Sequence, residues 1–153
     1  MGDLEFCMEN FHKPRLSKLA EYVLTETDYS YQFYSPPAVE TYLIQIEISQ
    51  QFILSVSYLP IEISDDVPFL FLQFHCLIGE LTGSPSNELL TTMSDANNAT
   101  ELSSFHIKEN EIYIKSVLAE DPESSLDLRK IAFSLGIFQN NLLDHQESLR
   151  ALV

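Results

Sequence analysis

Tryptophan is absent, glycine occurs four times and cysteine twice in 153 residues. Four glycines leave no phosphate-cradling glycine motif. Two cysteines, Cys7 near the N-terminus and Cys76 inside an apolar run, do not make a disulfide framework. A reducing cytoplasm is the expected setting. Positive charge is the scarcest commodity. Lys and Arg total 8 against 23 Asp and Glu, for a formal net charge of -15. Lys18 and Lys108 bracket a stretch with no Lys or Arg and about a dozen carboxylates. Nucleic-acid binding requires a basic surface that displaces counterions, so nucleic acid and anionic membranes are excluded as partners.

Long apolar runs are missing too. Val67–Ile78 is about a dozen residues and contains Gln73 and His75, too short for a membrane span. The N-terminus, MGDLEFCMENFH, lacks the basic start and apolar stretch of a signal peptide. Phe6 stands where a myristoylation signal would carry Ser or Thr. Asn98-Ala99-Thr100 matches a glycosylation sequon, which without a secretion signal carries little meaning.

What is present is hydrophobic periodicity. In Thr41–Leu59, Tyr42, Ile44, Ile46 and Ile48 alternate with Leu43, Gln45, Glu47 and Ser49. Beyond a Ser49-Gln50-Gln51 corner, Phe52, Leu54, Val56 and Tyr58 alternate with Ile53, Ser55, Ser57 and Leu59. A period of two assigns each set to one sheet face, one apolar and the other mixed. The rest of the chain is organised around this hairpin. Residues 1–13 are expected as an irregular arm and 14–153 as a single α+β domain. Pro14 opens a helix to about Thr25, with Leu16, Leu19, Ala20 and Val23 as its apolar stripe. Tyr29–Tyr34 is aromatic and strand-like, ended by Pro36-Pro37. Phe69–Ile78 is assigned as a strand between Pro68 and Gly79, apolar on both faces.

Ser86 or Asn87 is expected to cap a short helix from about Glu88 to Asn97. Ser103–Ile107 and Glu111–Leu118 form a second hairpin around Lys108-Glu109-Asn110. Ser124 is expected to cap a helix reaching about Ala151, with Leu128, Ile131, Leu135, Phe138, Leu142 and Leu149 on one stripe. Gly136 inside it suggests a close crossing or a bend. The resulting order is α-β-β-β-α-β-β-α, an antiparallel sheet of about five strands backed by the first and last helices.

That order, the Glu88–Met93 segment running to Asn97-Asn98, and the apolar strands Phe105-His106-Ile107 and Ile112-Tyr113-Ile114 resemble the YbjN-like family and its type III secretion chaperone-like fold. The resemblance implies a small, acidic, cytoplasmic, non-enzymatic homodimer that binds a protein partner. Departures are the arm before Pro14 and the Tyr29–Pro37 insert.

No catalytic constellation is legible. His12, His75, His106 and His145 have no Cys or His at metal-ligand spacing, and no cofactor or metal is expected. Asp65-Asp66 and Glu120-Asp121-Pro122-Glu123 read as solvated turns, without the calcium-loop pattern. Cys76 reads as a buried inert thiol. The informative feature is an apolar surplus. Phe69, Phe71 and Phe74 on one strand, and Tyr29, Tyr31 and Phe33 on another, are the candidate partner or dimer surface. The expected function is a protein-interaction module. The alternatives are a small-molecule sensor with a pocket between sheet and C-terminal helix, or a signalling regulator.

Overall fold

The computed structural model describes residues 2–27, 29–34, 42–49 and 51–153. The N-terminal region is helical. α1 (Gly2–Cys7) passes through a π-helical turn (Met8–His12) into α2 (Lys13–Glu26). The expected irregular arm is corrected here: Cys7, Met8 and His12 are buried, and that burial ties the segment down. Six strands follow with two more helices: β1 (Ser30–Tyr34), β2 (Leu43–Ser49), β3 (Phe52–Tyr58), β4 (Leu70–Glu80), α3 (Asn87–Ala99), β5 (Ser104–Lys108), β6 (Glu111–Glu120) and α4 (Leu128–Arg150).

The strands form one antiparallel sheet in the order β1-β2-β3-β4-β6-β5. The fold is α+β, with one strand more than expected, because Ser30–Tyr34 pairs with β2 instead of standing apart as an insert. The Pro36-Pro37 terminator and the Gln50 corner lie outside the described residues.

Alternation explains the layering. Ile44 and Ile46 from β2, Leu54, Val56 and Tyr58 from β3, Leu70, Leu72, Phe74 and Cys76 from β4, and Ile112 and Ile114 from β6 are buried on one face. Against them pack Leu16, Leu19 and Val23 of α2, Leu89 and Met93 of α3, and Ile131, Leu135, Phe138 and Leu142 of α4. Ser86 caps α3 as expected, its hydroxyl accepting from Leu89 N at 3.1 Å.

α4 starts later than expected. Its cap is Asp127, which accepts from Lys130 N at 3.1 Å. Ser124 is held elsewhere. Its hydroxyl donates to Asp121 Oδ2 at 3.2 Å, and its carbonyl accepts from the buried Arg15 of α2. The same guanidinium reaches the carbonyls of Asp121 (3.0 Å) and Pro122 (3.3 Å) and pairs with Glu120 at 3.5 Å. One α2 side chain thus fastens the β6–α4 connection, and the carboxylate of Glu120 also accepts from the Tyr58 hydroxyl.

Candidate interaction face

The sheet face turned away from the helices is built from the alternate positions of the same strands: Leu43, Gln45 and Glu47, then Ile53, Ser55 and Ser57, then Phe71, Gln73, His75 and Leu77, then Tyr113, Lys115, Val117 and Ala119. No described element covers it. Ile53 is 55% exposed, Val117 42% and Leu77 40%. Phe71 is half-buried among its neighbours, and Phe69, just before β4, is exposed.

Charge is scarce on this side. The register places Glu47, Glu80, Glu111, Lys108 and Lys115 on it, three acids against two bases. The face therefore carries -1 of a chain total of -15. Lys115 alone among these lies near its middle, in the row Gln45–Ser55–His75–Lys115–Ser104. Ile53 and Leu77 lie on one side of that polar row and Phe71 and Val117 on the other, and depletion of charge is a compositional mark of an interface core.

Three rings lie flat across β4, β6 and β5. His75 stacks on Tyr113 with centroids 4.8 Å apart, and Tyr113 stacks on His106 at 5.4 Å. Ser104 Oγ and His106 Nε2 are 2.6 Å apart. Burial is the main cause lowering both histidine pKa values. Lys115 adds to the shift at each, and Glu111 opposes it at His75. The rings are therefore mostly neutral at pH 7 and add apolar area. The Ser104–His106 contact sits on a flat surface, and among the described residues no carboxylate hydrogen-bonds that imidazole.

The six aromatic positions expected at the surface separate. Phe69 and Phe71 belong to the open side. Phe74 is fully buried, edge-to-face with Phe138 at 5.8 Å, so no partner reaches it without opening the core. Tyr29 packs partly buried against the core. Tyr31 stands opposite Ile46, in register with the helix-covered face, and is 36% exposed at the sheet edge. Phe33 stands opposite Ile44, and its side chain lies outside the described residues. Ile53, Leu77 and Val117 were passed over because each looks ordinary in its own strand. Strand order sets Ile53 beside Leu77 and places Val117, opposite Gln73, on the same face. The signal was the mixed set of the hairpin's second strand, Ile53, Ser55, Ser57 and Leu59, which holds no charged side chain.

Among the described residues, no group of three His, Cys, Asp or Glu is placed to hold a metal ion, and no helix is long and apolar enough to cross a membrane. Comparisons with protein-family models, with curated proteins and with solved structures find no match.

Proposed function

We propose that this protein is a non-catalytic protein-interaction module that acts as a homodimer and holds a segment of a partner protein, with cytoplasmic residence and membership of the YbjN-like group as parts of the same reading. The observation that carries it is the open sheet face, near-neutral on a strongly acidic chain and carrying Ile53, Phe71, Leu77 and Val117 on either side of a polar middle row. Two copies repel wherever their carboxylates meet, and this face is where they can approach. Its size is suitable. Six strands about 4.8 Å apart, with about 3.4 Å of rise per residue, give roughly 700 Å². A standard stable interface buries about 800 Å² per partner. The acidic remainder favours a partner segment that is basic or amphipathic. The element order from α2 onward, with β1 as an additional strand, is the feature on which the family reading rests. Sedimentation equilibrium over a hundredfold concentration range is expected to show a monomer–dimer equilibrium. A single species of 17.5 kDa throughout overturns the homodimer.

A second reading, a small-molecule sensor, has one observation in its favour. A cleft of about 670 Å³ lies between the end of β4 and the C-terminal turns of α4, lined by Ile78, Gly79, Gln146, Glu147 and Arg150. Arg150 donates to Gln51 Oε1 at 2.8 Å and lies over the Phe52 ring. A cleft of this size can take a small ligand. A thermal-shift screen against anionic metabolites tests it, with stabilisation that disappears in Arg150→Ala as the supporting result.

A further inference from the structure

A second cluster lies far along the chain from the open sheet face, where the N-terminal helix meets the loops around Ile63 and Pro122. Cys7 Sγ is 3.3 Å from His12 Nε2, and both side chains are buried. The contact exists because of the π turn. Residues five apart on an α-helix point in different directions, whereas a turn with i→i+5 hydrogen bonds brings them to one face. The His12 ring stacks on Tyr58 at 5.1 Å and 18°, and the Tyr58 hydroxyl donates to Glu120. In front of the thiol opens a cleft of about 280 Å³, lined by Phe6, Cys7, Phe11, Ile63, Pro122 and Glu123.

Two costs converge on this pair. His12 Nδ1 is buried with no hydrogen-bond partner, which costs about 1–3 kcal/mol. The π turn itself is a rare departure from the α-helix and is frequent at functional sites. A leucine at position 12 would avoid the first cost and would serve the core as well. A purely structural cysteine requires neither an imidazole beside it nor a cleft before it.

The protonation states are those of a neutral pair. Burial raises the Cys7 thiol pKa; a backbone hydrogen bond from Ile63 opposes that rise, and Glu62 adds to it. Burial lowers the His12 pKa to about 4. At pH 7 the thiol keeps its proton and the imidazole is an unprotonated base in contact with it. There is no standing thiolate, so what the site offers is geometry, with Cys7 Sγ 3.3 Å from His12 Nε2 and proton transfer confined to the moment of attack. The Tyr58 ring beneath His12 favours the transient imidazolium.

We propose that Cys7, with His12 as its base, is a covalent acceptor site for a short apolar acyl group delivered as an activated ester or thioester, the acyl chain lying in the Phe6–Phe11–Ile63–Pro122 cleft. The thiol proton passes to His12 Nε2 as sulfur attacks the carbonyl carbon. A sulfur–carbon bond forms, the bond from the carbonyl carbon to the leaving alkoxide or thiolate breaks, and the leaving group takes the proton from His12. The products are an S-acyl chain and a free alcohol or thiol, with no redox change. The walls are apolar on most sides, so the acyl group stays on the protein. The site is thus a modification site independent of the interaction reading.

The test uses the full chain with p-nitrophenyl hexanoate and p-nitrophenyl acetate. The expected result is a burst of one p-nitrophenol per chain, one hexanoyl group by intact mass, and its location on Cys7 by peptide mapping. Cys7 reacts faster in the folded chain than in guanidinium, and faster with hexanoate than with acetate. Cys76→Ala leaves the burst unchanged. His12→Gln, shown folded by circular dichroism, lowers the rate on the order of a hundredfold. If His12→Gln does not fold, the comparison of folded with denatured wild-type chain decides alone. A Cys7 that is slower in the folded chain than in guanidinium is a buried inert thiol and overturns the proposal. Acylation that maps to Cys76 or to lysines, or equal rates for the two esters, also overturns it.

Discussion

At the scale of single residues, His12 links burial to pH. Its folded-state pKa of about 4 lies below the ordinary 6.5, so the unfolded chain binds the proton first. Its contribution to stability is complete above pH 6.5 and is lost as pH falls toward 4, with no further loss below. Thermal denaturation is expected to show a larger drop in midpoint from pH 7 to pH 4.5 for wild type than for His12→Phe, which keeps a ring on Tyr58. His75 and His106 shift in the same direction in both chains and cancel. Equal drops contradict the assignment. Glu109 is a second case. It sits in the β5–β6 turn at φ 57°, a region that disfavours a residue with a Cβ by about 1–2 kcal/mol. Glu109→Gly is expected to raise stability by about 1 kcal/mol, or about 2–4 °C in midpoint. An unchanged or lowered midpoint contradicts it. Neither feature was legible in the sequence. A Lys-Glu-Asn corner does not announce which of its residues takes a positive φ, and the Cys7–His12 contact depends on a π turn that no periodicity encodes.

At the scale of elements, α4 offers the cleanest test. Gly136 invited the idea of a close crossing or a bend, but a Cβ built there meets nothing within 4 Å and its φ is not positive. Gly136→Ala is therefore expected to stabilise the chain by up to about 1 kcal/mol through helix propensity, read as a higher denaturant midpoint with an unchanged m-value. A loss of stability would show that the position is crowded after all. The strands were legible because alternation survives in sequence. Ile44-Ile46 and Leu54-Val56 point inward as their period requires, and Leu70–Glu80 is a central strand with Leu70, Leu72, Phe74 and Cys76 inward; its outward face, Phe71, Gln73, His75 and Leu77, is mixed and not apolar as expected. The start of α4 was not. Ser124 is as good a local cap as Asp127, and what decides between them is Arg15, more than a hundred residues earlier, which holds the Ser124 carbonyl. The helical arm escaped for a similar reason, since its apolar residues Cys7 and Phe11 gain order only against the rest of the core.

At the scale of the whole molecule, charge distribution carries the functional reading. A chain at -15 that leaves one broad face at -1 has sorted its carboxylates to the other surfaces and the loops. Salt is expected to tighten self-association modestly, because screening reduces repulsion between the acidic remainders while the apolar seam is unaffected. The sequence showed the acidity and the apolar surplus, yet its candidate set joined Phe69 and Phe71, which belong to the open side, with Phe74 and Tyr31, which the pleat turns toward the helices. Adjacency across β3, β4 and β6 belongs to topology, which sets Ile53 beside Leu77 and places Val117 on the same face, across the His75–Lys115 row from them. The most direct test of the interface is light scattering on wild type and on Leu77→Glu/Val117→Glu, both shown folded by circular dichroism. The expected result is a mass near twice 17.5 kDa for wild type and a monomer for the variant. A monomeric wild type, or a variant that remains dimeric, contradicts the assignment of the open sheet face as the seam.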